Sequence, residues 1–310
     1  MIQPESPVIH TGTTTLIDTF HSSDIIQLYK VQYGIDVAHF FHDSSFSLYR
    51  CNQTGYRFYH PKGMDGDGAF YATLQQKFGD DYYHNWKFEY QLAYDHLKAT
   101  DKVLDIGCGV GKFLDRAKGK AAEVCGLELN EKAVEVCKQK GLTVFNELIG
   151  DHAVKKEGYY DVVCMFQVLE HIYDIKSFLE DSLKVLKKGG KMVIGVPNSE
   201  PYFQSYDKYS TLNLPPHHMG LWNKAVFEKI APVFNIKMLE TVYDVKGNIK
   251  VESYLRAKYL GKVLNPAGLH TTGEKIKMAL LGFITVPLSI IKKLTKGIHG
   301  SHIAVVFEKL

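Results

Sequence analysis

Short apolar runs alternate with amphipathic stretches along the middle of the chain. Each run is bounded by turn residues, which predicts a buried strand, and the stretches between the runs have the spacing of helices. Asn130 is placed to cap a helix predicted over residues 131–140, and a second helix is predicted over 175–187. This alternation predicts an α/β fold. The predicted strands are residues 103–106, 123–129, 161–167, 190–198, 234–243 and 303–307.

A β-hairpin is predicted before this region. Residues 45–50 and 56–60 alternate between apolar and polar positions on either side of a turn at 52–55. Cys51 has Thr54 where the partner of a C-x-x-C pair would stand, so a tetrahedral zinc site lacks its ligands. We therefore expect no metal.

A glycine-dense turn follows the first predicted strand of the α/β region. Gly107, Gly109 and Gly111 let the backbone turn sharply and let a ligand lie directly on the peptide groups. Lys112 stands where a dinucleotide-binding turn has its third glycine. Asp105, two places before the turn, would repel a pyrophosphate but suits a cation such as the sulfonium of S-adenosylmethionine. The turn therefore favours S-adenosylmethionine over NAD.

A second carboxylate supports this interpretation. Glu128 ends the next predicted strand about 20 residues past the turn, where Rossmann-like folds bind the two hydroxyls of a ribose. With the Val-Leu-Glu-His-Ile segment at 168–172, these features resemble the class I S-adenosylmethionine-dependent methyltransferases, in the small-molecule branch that modifies quinones and sugars. The resemblance extends over about residues 80–245.

The resemblance implies a specific architecture and cofactor site. It implies a Rossmann-like sheet of seven strands in the order 3-2-1-4-5-7-6, with the last strand antiparallel and helices on both faces. This domain would comprise residues 79–245 and 302–310, after an N-terminal elaboration over 1–78. The cofactor would leave as S-adenosylhomocysteine. The expected cofactor-binding residues are Tyr83, Asp105, Gly107, Cys108, Gly109, Glu128, Leu129, Phe166 and Gln167.

Three histidines are candidates for the acceptor side of the site. His171 follows the fourth strand of the resembling fold, where its imidazole either accepts a proton or only orders the loop. His217 and His218 follow Pro215 and Pro216, which stiffen a long loop. Neighbouring side chains tend to diverge, so we expect one of these two to face the acceptor and the other to pack. Divergence also argues against a shared metal.

About 55 residues separate the last two predicted strands, which a direct hairpin would join. Residues 246–301 are therefore predicted to form a helical insertion. The apolar run within 275–294 is too short to span a bilayer and lacks the polar face of a membrane-surface helix. We expect a lid over the acceptor site rather than a membrane contact.

Composition excludes several classes of protein. Lysine and arginine total 37 against 34 acidic residues, so no basic surface indicates nucleic acid. The five cysteines look like buried thiols, the N-terminus has no apolar signal-peptide core, and no transmembrane run is expected. These features predict a cytoplasmic location.

The expected function is O-methylation of a hydroxyl on a sugar, glycan precursor or secondary metabolite. The alternatives are methylation of carbon or nitrogen on a small molecule, including quinone-type acceptors, and a non-catalytic subunit that binds S-adenosylmethionine. Asp105, Glu128 and the three histidines together favour an enzyme.

Overall fold

The structure, a computed structural model, describes residues 3–78, 86–200, 208–244 and 299–310, together with positions 272, 273, 276, 279 and 280. Tyr83 and nearly all of the predicted insertion at 246–301 lie outside the described residues. Among the described residues, no helix is both long enough and apolar enough to cross a membrane.

A seven-stranded sheet forms the centre of the fold, and its order confirms the expected one. The order is β10-β11-β8-β7-β4-β5-β6, in which β11 runs antiparallel to both of its neighbours and the other pairs are parallel. The strands are β4 (Lys102–Ile106), β5 (Glu123–Leu127), β6 (Thr143–Phe145), β7 (Tyr160–Phe166), β8 (Leu186–Pro197), β10 (Ile236–Tyr243) and β11 (His302–Lys309).

Helices cover both faces of this sheet. Asn130 caps the helix Glu131–Gln139 as expected, because its side-chain oxygen accepts the backbone N–H groups of Lys132 and Ala133. The helices of this region are α3 (Phe88–His96), α4 (Lys112–Ala117), α5 (Glu131–Gln139), α6 (Ile149–Lys155), α7 (Ile175–Val185) and α8 (Lys224–Ile230).

The side-chain alternation along the strands produces two cores. Leu104 of β4 and Val163 of β7 belong to one buried apolar cluster, whereas Val103 and Val162 belong to a second. Consecutive residues of a strand point to opposite faces, so each face of the sheet has its own apolar layer beneath helices.

A second, antiparallel sheet is built on the predicted hairpin, which is present. It has the order β1-β2-β3-β9 and a core of its own with the first two helices. Its last strand, Gly220–Leu221, follows directly on the loop that contains His217 and His218. This strand pairs with the hairpin, so the sheet holds that loop against the N-terminal region. Its elements are β1 (Thr14–His21), α1 (Ser22–Tyr33), β2 (Ser45–Cys51), β3 (Arg57–His60), α2 (Gly68–Phe78) and β9 (Gly220–Leu221).

Candidate active site

The glycine turn lies where the carboxyl ends of three neighbouring strands meet. Gly107, Gly109 and Gly111 have φ angles of 71°, 53° and 75°, a region that residues with a Cβ rarely adopt. Val168 packs directly on the turn, because its Cγ2 atom would lie 2.5 Å from a Cβ atom placed on Gly107. The loop after β7 is therefore in contact with the loop after β4.

Glu128 holds the turn from the end of β5. Its two carboxylate oxygens accept the N–H groups of Gly109 at 2.9 Å and Asn130 at 2.7 Å. A carboxylate has about four acceptor positions, so it keeps capacity for further donors. Leu129 beside it is 60% exposed, which leaves an apolar surface next to the carboxylate.

Asp105, near the end of β4, has a buried carboxyl group just before the turn. Burial first, and then the charge of Glu128, raises the pKa of Asp105 well above its usual value. Its Oδ1 atom has no hydrogen-bond partner among the described residues. A buried group of this kind fits a cationic partner, whose charge would favour the ionised carboxylate. Cys108, the next predicted residue of the turn, is buried and lies against Gly126 of β5.

Gln167, directly after β7, has a strained backbone. Its φ is 58°, which is uncommon for a residue with a side chain. Its N–H donates to the carbonyl of Gly195 at 2.7 Å, and its Nε2 donates to Glu89 at 3.3 Å. Phe166 is buried beside it, with its ring 4.8 Å from that of Tyr90. Strain of this kind is often found at functional sites.

The tyrosines of α3 and Trp86, just before the helix, form a partly buried aromatic surface. The fully buried positions of the helix are Glu89, Leu92 and Ala93, whereas its tyrosines are half-buried. The Arg116 guanidinium lies over the rings of Trp86, at 4.3 Å, and Tyr94, at 5.0 Å. Part of this aromatic surface therefore binds a cation supplied by the chain itself.

The three histidines form one cluster. The ring centroid of His171 lies 5.2 Å from that of His217 and 5.0 Å from that of His218. The rings of His217 and His218 are stacked, with centroids 4.3 Å apart and planes inclined by 19°. The expectation that these two side chains diverge is wrong. Their backbone N–H groups both donate to the carbonyl of Leu214, so the loop turns there instead of remaining extended.

Hydrogen bonds connect the loops that bear the histidines. Nδ1 of His171 lies 2.6 Å from the carbonyl oxygen of His217, and Nδ1 of His217 lies 3.0 Å from that of Leu212. The hydroxyl of Tyr71, in α2, lies 3.0 Å from both Nδ1 of His171 and the carbonyl oxygen of His217. Since a carbonyl only accepts, both Nδ1 atoms are assigned as donors and each Nε2 retains its lone pair.

Burial keeps all three imidazoles neutral. It lowers the pKa of His171 to about 3 and that of His217 to about 4, and it lowers the pKa of His218 well below its usual value. The neighbouring histidines add to the lowering at His171 and His218. At neutral pH the cluster therefore offers lone pairs but only weak bases.

Glu170 is a second buried carboxyl beside the cluster. Its side chain is 1% exposed, and Oε1 lies 3.9 Å from Nε2 of His171. Neither of its carboxyl oxygens has a hydrogen-bond partner in the part of the chain that the structure describes. Burial raises the pKa of Glu170 to about 8.

The sequence similarity agrees with this arrangement. The model of a family described as "Methyltransferase domain" matches residues 80–270, which is more than half of the chain. The chain belongs to the S-adenosylmethionine-dependent methyltransferases. The cofactor of this methyltransferase is S-adenosylmethionine, as the turn and its two carboxyls predicted.

Two curated relatives of the methyltransferase share a common description. A ubiquinone biosynthesis O-methyltransferase from Thiobacillus denitrificans is 37% identical over 98 residues, which are 30% of this chain and 42% of that protein. A protein of the same name from Vibrio parahaemolyticus is 33% identical over 103 residues, or 31% of this chain and 44% of that protein. The matches thus span less than half the length of these relatives.

One solved structure is also similar to this chain. A methyltransferase from Archaeoglobus fulgidus, described as dependent on S-adenosylmethionine, gives a TM-score of 0.49 at 20% identity. The alignment covers 71% of this chain and 90% of that chain.

The predicted residues of the methyltransferase fall into two adjoining groups. One group lies at the carboxyl ends of three adjacent strands and contains the turn, Glu128, Leu129, Phe166 and Gln167. The histidines form the other group, which adjoins the first through the loop after β7.

The sequence did not predict three polar residues that contact these groups, namely Tyr71, Glu89 and Glu170. The only sequence feature that could have indicated Glu89 and Glu170 is a carboxylate within an apolar stretch. Tyr71 comes from the N-terminal region, and tertiary contacts alone bring it to the site.

Proposed function

We propose that this protein transfers a methyl group from S-adenosylmethionine to a hydroxyl group of a small molecule. The observation that best supports this is the contact between Val168 and Gly107, because it joins the histidine cluster to the cofactor turn. His171 follows Val168 by three residues, and the loop of His217 and His218 packs on His171. An acceptor beside the histidines would therefore lie next to the turn.

The residues around the turn fit the cofactor. When bound, S-adenosylmethionine supplies an electrophilic methyl group on a sulfonium. We assign Glu128 to the ribose hydroxyls, since its carboxylate keeps acceptor capacity. We assign Asp105, whose Oδ1 has no partner among the described residues, to the cationic part of the ligand. Leu129 offers an apolar surface beside Glu128, and Gly107 and Gly109 allow close approach of the backbone.

The histidines orient the acceptor hydroxyl. A neutral imidazole with a free Nε2 accepts a hydrogen bond from the hydroxyl and directs an oxygen lone pair towards the methyl group. Tyr71 fixes the orientation of His171 and the backbone of His217 at the same time. The proposed catalytic residues are His171, His217 and His218.

The acceptor class follows from the chemistry of the cluster and from the relatives. Polar hydrogen-bonding groups suit a hydroxyl on a sugar, glycan precursor or secondary metabolite, which is the acceptor class that we favour. A phenolic hydroxyl on a quinone-type precursor is a second candidate, because the curated relatives are named ubiquinone biosynthesis O-methyltransferases. The five buried free thiols are consistent with a reducing, cytoplasmic compartment.

Transfer of labelled methyl groups tests the proposal. The purified protein is incubated with methyl-labelled S-adenosylmethionine and with small-molecule cell extract, separated into polar and apolar fractions. We expect label in an O-methylated product, in the polar fraction for a sugar and in the apolar fraction for a quinone precursor. Mass-spectrometric fragmentation that places the methyl group on carbon or nitrogen would contradict O-methylation. Cofactor binding without transfer to any fraction would favour the non-catalytic alternative.

A further inference from the structure

The three histidines lie close enough together to share one metal ion. One ring nitrogen of each of His171, His217 and His218 can be chosen so that all three atoms lie within 4.8 Å of one another. With metal–nitrogen bonds of about 2.0–2.1 Å, two nitrogens on one tetrahedral ion stand about 3.4 Å apart. Side-chain movements of about an ångström therefore bring all three nitrogens onto one ion.

The hydrogen bonds of the rings have the pattern of metal ligands. A histidine that binds a metal through one ring nitrogen usually donates the other N–H to a carbonyl or carboxylate, which fixes the tautomer. His171 donates Nδ1–H to the carbonyl of His217, and His217 donates to that of Leu212. Each Nε2 is left as the nitrogen with a lone pair.

Glu170 is an independent indication of a cation site. A carboxyl that is 1% exposed and has no hydrogen-bond partner in the described part of the chain carries a large desolvation cost. Its Oε1 lies 3.9 Å from Nε2 of His171, the nitrogen that would bind the metal. A divalent ion at the histidines would give this carboxylate an opposite charge at close range.

We propose that His171, His217 and His218 bind a divalent transition-metal ion, with Glu170 as its neighbouring negative charge. Imidazole ligands suit zinc, iron, copper and nickel, and three histidines with an open fourth position are typical of catalytic zinc sites. Zinc is therefore the ion to test first. The sequence-based argument against a metal shared by His217 and His218 rested on diverging side chains, and the stacked rings of these two residues remove that reason.

With the ion bound, its open position would orient the acceptor hydroxyl in place of direct hydrogen bonds to the imidazoles, a role that rests on the proposed function. An acceptor hydroxyl bound there would lose its proton more readily, since a zinc ion lowers the pKa of bound water to about 7. The hydroxyl proton would pass to solvent. The acceptor oxygen would then form a bond to the methyl carbon as the carbon–sulfur bond of S-adenosylmethionine breaks, and S-adenosylhomocysteine would leave.

Metal binding can be measured without any methyl transfer. The protein is treated with a chelator and titrated with Zn²⁺ by calorimetry, and with Co²⁺ by visible absorption. We expect one Zn²⁺ per chain with a micromolar or lower dissociation constant, and an intense four- or five-coordinate Co²⁺ spectrum. His171→Ala and His217→Ala should each weaken Zn²⁺ binding at least 100-fold, beyond the 10–100-fold typical of lost outer partners. Glu170→Gln should weaken it about 10-fold or more.

The control is an exposed histidine outside the cluster, His42→Ala, which should bind Zn²⁺ like the wild type. Affinity for S-adenosylmethionine, measured on each variant, shows that the cofactor domain is folded. The proposed site would be overturned if Co²⁺ added to the wild type showed only the weak spectrum of the hydrated ion. Equal Zn²⁺ affinity in the wild type and all variants would also overturn it. Zinc binding with methyl transfer unaffected by the chelator would retain the site and overturn its role at the hydroxyl. Transfer lost on chelation and restored by Zn²⁺ would support both.

Discussion

The side chain of Val168 occupies the space in front of Gly107. Its Cγ2 atom would lie 2.5 Å from a Cβ atom at that glycine, where φ is 71°. Gly107 is thus required both for the backbone conformation of the turn and for the approach of the loop that bears His171. Gly63 has a φ of 86° but no atom within 4 Å of its Cβ position, so it meets the first requirement only.

Gly107→Ala should therefore destabilise the protein more than Gly63→Ala. The left-handed conformation costs about 1–2 kcal/mol for a residue with a Cβ, and both variants incur this cost. Overpacking against Val168 adds about 1–3 kcal/mol to the first variant alone. Urea unfolding of both variants measures the difference. Adding Val168→Ala to Gly107→Ala should recover part of the additional loss in the free energy of unfolding. An equal loss in Gly107→Ala and Gly63→Ala would contradict this account.

Glu128→Ala should weaken the binding of S-adenosylmethionine by about 1–3 kcal/mol, because the two ribose hydroxyls would lose the acceptor that we propose for them. The measurement is calorimetric titration of the cofactor. Glu131→Ala is the matched control, since this exposed glutamate begins α5 three residues further on. Wild-type affinity in Glu128→Ala would mean that the ribose binds elsewhere.

The buried carboxyl of Asp105 should make stability depend on pH. Below about pH 4 the carboxyl holds its proton in both the folded and the unfolded chain. As the pH rises, the unfolded chain releases the proton first, because burial raises the pKa of Asp105 in the folded state. The free energy of unfolding should then fall by about 1.4 kcal/mol per pH unit until the raised pKa is reached.

Urea unfolding between pH 4 and pH 8, without cofactor, tests this dependence. Asp105→Asn removes the titrating group, so its stability relative to the wild type should rise with pH over this range. Asp151→Asn, at an exposed position, should keep the wild-type slope. Parallel pH profiles for the wild type and Asp105→Asn would show that Asp105 ionises normally in the folded protein.

Tyr71→Phe should reduce methyl transfer about 10-fold or more, since the hydroxyl orients both His171 and the backbone of His217. The affinity for S-adenosylmethionine should not change. Tyr33→Phe is the control, because it removes a hydroxyl that is hydrogen-bonded to the side chain of Thr211. Each variant should lose about 1 kcal/mol of stability. A similar kcat for both variants, measured with the acceptor found by the labelling screen, would show that Tyr71 is only structural.

The sequence by itself determined the architecture of the α/β domain and the local placement of its glycine turn, of Glu128 and of the Asn130 cap. The signals for the strands, the glycine turn, Glu128 and the Asn130 cap each lie within a few residues, so local physics suffices to place them. The register of β4, β5 and β7 then brings their carboxyl ends together, because parallel neighbours end at the same edge.

Only the tertiary structure decided the arrangement around the histidines. His171, His217 and Tyr71 come from three segments far apart in the sequence, and no local pattern specifies that they meet. The turn at Leu214, where the N–H groups of His217 and His218 share one carbonyl, places their rings side by side. We expected adjacent side chains to diverge, which is true of an extended backbone but not of a turn. Burial, which sets the charge of these groups, is likewise a property of the whole fold.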